Sequence, residues 1–82
     1  MNKLLLYTKP DCHLCDEMKD VISVVKREVN FDFEEINIKQ NELLFEKFKE
    51  KIPLLMMNGR LIAKYYIDKE KLRKLIITEQ EL

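Results

Sequence analysis

Apolar residues recur at changing intervals along this chain, and each interval predicts an element. Lys3 to Thr8 holds a continuous run, Leu4-Leu5-Leu6-Tyr7, of the length of a buried strand, and Lys9-Pro10-Asp11 stops it. Cys15, Met18, Ile22, Val25 and Val29 then step by 3, 4, 3 and 4 residues, the stripe of one amphipathic helix ending near Val29-Asn30. Glu17, Lys19, Asp20, Ser23, Lys26 and Arg27 form its polar remainder, with Asp11 as the expected N-cap. Phe31 to Ile38 alternates like a strand, with Phe31, Phe33, Ile36 and Ile38 inward. The phase slips at Glu34-Glu35 and leaves the register open.

Asn41 is placed to cap a short helix through about Lys49, with Leu44, Phe45 and Phe48 on one face. Ile52-Pro53 opens a second apolar run, Leu54-Leu55-Met56-Met57. Asn58-Gly59 is the hairpin signal, because a type I′ turn needs positive φ at both positions. Arg60 to Tyr66 is the expected return strand, and Asp68 the cap of a last helix carrying Leu72, Leu75 and Ile76. The predicted order is β-α-β-α-β-β-α. Strands joined through a helix run parallel with a right-handed crossover, and the hairpin is antiparallel. The expectation is an α/β fold, a four-stranded mixed sheet with helices on both faces, forming one domain over residues 1–82.

Composition narrows the function classes. The chain has 82 residues, 46% hydrophobic and 37% charged, which suits one small globular domain. Fifteen basic residues balance fifteen acidic ones, so no basic excess invites nucleic acid or an anionic membrane. No apolar run approaches the ~20 residues that span a bilayer, and the N-terminal residues lack the apolar stretch and cleavage site of a signal peptide. A cytoplasmic monomer with no nucleic-acid or membrane partner is the expectation.

The candidate chemistry lies in Cys12-His13-Leu14-Cys15, which contains both cysteines of the chain. Residues i and i+3 of a helix share a face, close enough for two sulfurs to bond and separate with little backbone movement. A thiol at a helix N-terminus meets unpaired N–H groups and the positive end of the macrodipole, which favour the thiolate. Closing so short a loop removes little unfolded-state entropy, so stapling the fold is a weak use for this pair. In a reducing compartment the choice falls between catalysis and metal binding.

Strand, then Tyr7-Thr8-Lys9-Pro10-Asp11-Cys12-His13-Leu14-Cys15, then Ile52-Pro53 leading into a hairpin, resembles the glutaredoxin-like proteins of the thioredoxin fold. The likeness covers essentially the whole chain. It implies a dithiol thiol-disulfide oxidoreductase in which the Cys12 thiolate attacks a substrate disulfide and Cys15 resolves the mixed disulfide. It implies that Pro53 is cis, while Lys9 and His13, by their charge beside the motif, are expected to support the thiolate. Lys9, Ile52, Pro53 and Asp68 would contact substrate, Ile52 through its backbone. Two departures bear on glutathione. The family's Gly-Gly turn is replaced by Tyr65-Tyr66-Ile67-Asp68, and the motif centre is His13-Leu14. The compact glutaredoxin-like subgroup without that turn is the nearer likeness, and it makes glutathione a weaker expectation than the dithiol chemistry.

Asp11 and Asp16 flank the motif and would raise the thiol pKa, whereas His13 helps only when protonated. Implied partners are proteins or small molecules carrying disulfides, with a reductase or glutathione as electron donor. No tightly bound cofactor is expected beyond the Cys12–Cys15 disulfide, and no metal. The rival class is a Cu(I) carrier, since two thiolates suffice for that ion. Small carriers of that kind end in a strand, whereas this chain is expected to end in a helix. A closed zinc site wants four ligands and finds two Cys and one His. An iron–sulfur cluster shared between two chains is a smaller alternative. Haem attachment fails because Asp16 follows Cys15.

Overall fold

A computed structural model describes residues 2–80; the ends of the expected 1–82 span, Met1, Glu81 and Leu82, lie outside the described residues. Strand β1 (Lys3–Thr8) leads into α1 (His13–Glu28), β2 (Asp32–Asn37), a single 3₁₀ turn (Ile38–Gln40) and α2 (Glu42–Phe48). The hairpin β3 (Leu54–Met57) and β4 (Arg60–Lys64) follows, and α3 (Lys69–Gln80) is the last element. The sheet order is β2-β1-β3-β4, with β1 parallel to β2 and every other pairing antiparallel. This is the expected mixed sheet, in the expected element order.

Strand β1 is central, and its alternation divides the molecule in two. Leu4 and Leu6 point into a cluster built with Met18, Ile22 and Val25 of α1, Leu55 and Met57 of β3, and Leu72 and Ile76 of α3. Tyr7 faces the opposite side, where its ring lies 4.9 Å from that of Phe48 on α2. Helices α1 and α3 therefore cover one face of the sheet, and the short α2 covers part of the other. The helical stripe of α1 is buried as its spacing predicts, from Cys15 through Val25, with Val29 half-buried at the end.

The phase slip in the second strand has a physical cause. Phe31 and Phe33 pack into the α1–α3 cluster, whereas Ile38 joins a second cluster with Cys15 and Ile52. The segment serves two cores, so no single alternation could fit it. Strand β2 is accordingly shorter than the expected 31–38, and Ile38 opens the 3₁₀ turn instead. There Asn37 Oδ1 accepts from the Lys39 N–H.

Three further junctions are set by side chains or backbone sign. Asn41 Oδ1 accepts from the Leu43 and Leu44 N–H groups at 2.9 and 3.1 Å and caps α2, as expected. Replacing it with alanine should cost about 1 kcal/mol, within the usual range of roughly 0.5–2. A urea titration of Asn41→Ala checks this, and an unchanged midpoint would show that the cap contributes nothing. At the hairpin, Asn58 and Gly59 have φ of 52° and 84°, the left-handed pair that the turn requires. The return strand is shorter than the expected 60–66, because Tyr65 takes φ 68° and leaves the ladder after Lys64.

Candidate redox site at the start of helix α1

Cys12, rather than the expected Asp11, caps α1. Asp11 adopts φ 57° in the preceding turn, and the first helical residue is His13, so the capping position passes to the cysteine. Cys12 is extended (φ −112°, ψ 105°), and its Sγ accepts from the Cys15 N–H at 3.1 Å. Its carbonyl accepts from the Asp16 N–H at 3.2 Å. The sulfur thus occupies the place usually held by a serine or aspartate oxygen, facing donors that the helix itself cannot use.

Cys12 and Cys15 are joined as a disulfide, with Cα atoms 5.2 Å apart. Their surroundings differ sharply. Cys12 is half-buried, whereas Cys15 is only 1% exposed, enclosed with Ile38 and Ile52. Tyr7, Leu44, Phe45 and Phe48 wall this second cluster. The sequence marks the stripe Leu44, Phe45, Phe48 on α2 but holds no signal that it closes over Cys15.

The Ile52-Pro53 bond is cis, as the family likeness implied. Pro53 is buried, and its carbonyl accepts from the Tyr65 N–H at 2.7 Å. The Tyr65 hydroxyl reaches across to donate to the Glu50 carbonyl at 2.8 Å, so one residue ties down both sides of the proline loop. The backbone N–H and C=O of Ile52 make no hydrogen bond with any described residue, although its side chain packs in the cluster of Cys15.

The other residues singled out in the sequence stand as follows. Lys9 is half-buried, and its side chain pairs with no described residue. His13 projects into solvent, its side chain 86% exposed, and its Nε2 lies 3.4 Å from Glu17 Oε1. Asp68 Oδ2 accepts from the Glu70 and Lys71 N–H groups at 3.0 and 3.2 Å and so caps α3. Asp16 Oδ1 lies 3.5 Å from Lys19 Nζ, which is also 3.3 Å from Glu35 Oε2. The Thr8 hydroxyl donates to that same Glu35 oxygen at 2.8 Å. Burial pulls the Lys19 pKa down, but the hydrogen bonds and charges of Glu35 and Asp16 outweigh it and leave the pKa raised. The negative charge of Asp16 beside the motif is therefore paired. Among the described residues no group of three or more His, Cys, Asp or Glu side chains is assembled to hold a metal ion. No helix among them is long and apolar enough to cross a membrane.

Residues 3–77 match the family described as Glutaredoxin-like domain (DUF836). The chain is 36% identical over 72 residues to the glutaredoxin-like protein YDR286C homolog of Dictyostelium discoideum, covering 80% of this chain and 67% of that protein. Protein XcR50 of X. campestris superposes with a TM-score of 0.76 at 25% identity, covering 92% of this chain and 96% of that one. A mutant thioredoxin from Halobacterium salinarum has the same fold, with a TM-score of 0.75 at 19% identity over 99% of this chain and 76% of its own.

Proposed function

The chain belongs to the glutaredoxin-like domain family (DUF836), and from that premise we propose that it is a dithiol thiol-disulfide oxidoreductase whose attacking sulfur is Cys12. One observation carries the reading: two bonded cysteines at a helix N-terminus, one accessible and accepting a backbone N–H, the other enclosed.

In the reduced protein, the Cys12 thiolate takes up the donors at the start of α1, chiefly the Cys15 N–H, which lower the cost of its charge. It attacks one sulfur of a substrate disulfide. The new S–S bond forms as the old one breaks, and the departing thiolate takes a proton from water. Cys15 then gives up its proton and attacks Cys12. This closes the intramolecular disulfide and expels the second substrate thiol. Two electrons and two protons pass to the substrate, and a thiol reductant restores the dithiol.

Enclosure keeps Cys15 from competing for the first attack, and the i, i+3 spacing keeps it within reach for the second. The free N–H and C=O of Ile52 are suited to hold an extended segment of the substrate beside the sulfurs, as an added strand would be held. Lys9, with no acidic partner among the described residues, is available to a carboxylate of the substrate or to the thiolate. His13 contributes positive charge only when protonated, and Glu17 stands beside it. Pro53 shapes the loop that brings Ile52 to the Cys15 cluster, and Asp68 caps α3. Glutathione is a poor candidate donor here, because Tyr65 and Tyr66 occupy the turn where the family likeness places two glycines.

A redox titration against glutathione buffers, followed by thiol alkylation, should show one two-electron transition between dithiol and disulfide. Mixing the reduced protein with insulin should consume two protein thiols per chain. Retention of both thiols, together with stoichiometric Cu(I) binding, would instead favour a carrier.

A further inference from the structure

The face of the sheet opposite α1 and α3 is only partly covered, because α2 spans seven residues. Tyr7, Phe48, Leu54, Met56 and Leu61 leave an apolar groove of about 380 Å³ on this face. Leu61 is 51% exposed, a large apolar residue on a strand that pairs with β3 alone. The irregularity in β3–β4 pairing makes this surface. Met56 pairs with Leu61 and Leu55 with Ala63, so Ile62 is the extra residue. Ile62 and Ala63 both pack toward the α1–α3 cluster, and Leu61 and Lys64 both line the groove. Unbroken alternation would have sent those two to opposite faces.

The rim has one sign of charge. Lys47, Lys51 and Lys64 line the groove, and none forms an ion pair with a described residue. In a chain with no net charge, every charged side chain lining this apolar depression is a lysine, and Lys47 Nζ lies 5.3 Å from the centroid of the Phe48 ring. The groove is also a neighbour of the redox site, because Tyr7 and Phe48 belong both to it and to the wall around Cys15.

We infer that this groove docks an extended acidic peptide segment with apolar side chains, supplied by the protein whose disulfide is exchanged at Cys12. That last step rests on the thiol-disulfide reading given above; the binding itself does not. A second copy presenting the same face would bring like charges together, which opposes self-association. An extended segment gains what a free anion or fatty acid cannot. The open outer edge of β4 offers it backbone hydrogen bonds, and alternate side chains then fall on the groove face beside Leu61.

The test uses the full-length oxidised protein and two labelled, cysteine-free peptides, Glu-Glu-Leu-Phe-Leu-Glu-Glu and Lys-Lys-Leu-Phe-Leu-Lys-Lys, followed by fluorescence anisotropy. The acidic peptide should bind and the basic one should not. Affinity should fall with added salt, and by at least about tenfold in a Lys47→Glu, Lys51→Glu, Lys64→Glu variant. Leu61→Ser, which leaves the charges in place, should weaken binding independently. Equal binding of both peptides, indifference to charge reversal, displacement of the peptide by decanoate at equal concentration, or dimerisation in sedimentation would each overturn the assignment. In turnover, the acidic sequences flanking a disulfide should raise kcat/KM over the basic ones, while a small uncharged disulfide is reduced equally by protein and triple variant. If no disulfide is reduced at all, the redox reading falls, and the docking assignment stands or falls on the anisotropy alone.

Discussion

Cys12→Ser is expected to leave a folded protein that reduces protein disulfides no faster than buffer does. The substitution removes the accessible sulfur of the cysteine pair, since Cys15 is enclosed by Ile38 and Ile52. A serine hydroxyl does not ionise near neutral pH and cannot form the mixed disulfide. Loss of activity should not come from unfolding, because serine is among the preferred N-cap residues and can accept the Cys15 N–H that the sulfur now accepts. Cys15→Ser should behave differently. The first attack proceeds, resolution does not, and a covalent adduct with the substrate accumulates that dithiothreitol releases. Mass spectrometry of the two variants after incubation with an oxidised protein separates the roles. Activity retained in Cys12→Ser, or an adduct through Cys15 in the wild type, would reverse the assignment.

Most of the scaffold was legible because local and tertiary demands agree. The stripe of α1 is apolar wherever the sheet needs it, Asn41 and Asp68 cap the helices that they precede, and Asn58-Gly59 takes the backbone signs that its turn requires. Legibility ended where one residue answers to two demands. Phe33 and Ile38 lie close in sequence but belong to different clusters, so the second strand has no single period. Ile62 breaks the alternation of β4, which a count of apolar positions does not reveal. Tyr65 resembles a strand residue in type, yet it sits at positive φ, a conformation that the side chain does not advertise.

The same limit applied at the site. Spacing revealed the cysteine pair and its place before a helix. It could not reveal that a sulfur would serve as the cap, because capping preferences are stated for oxygen-bearing side chains. Nor could it bring Glu35 to Lys19, a contact between helix and sheet set by how α1 lies across β2. The unpartnered backbone of Ile52 and the lysine rim of the groove are likewise properties of assembled elements.

The second large effect is on stability. Leu6→Ala should lower the unfolding free energy by about 2–5 kcal/mol, the usual cost of emptying a buried leucine site. Leu6 is 0% exposed, lies midway along the central strand, and faces Leu55 across the β1–β3 ladder, with α1 and α3 packed on the same cluster. Close packing on every side leaves little room for collapse into the cavity. A domain of this length has only roughly 4–12 kcal/mol to lose, so the substitution removes a large share of it. Leu61→Ser, half-exposed on the sheet edge, should shift the stability read from the urea midpoint by no more than about 0.5 kcal/mol. The two leucines differ by what surrounds them, and a Leu6→Ala cost below about 1 kcal/mol would mean that the cluster is looser than its burial implies. The loss should also reach the sulfurs. In reduced Leu6→Ala, Cys15 should be alkylated much faster than in the wild type, whereas accessible Cys12 changes little. Leu6 lies in the other cluster, so this exposure of Cys15 comes through opening of the whole fold, on which the order of attack therefore depends.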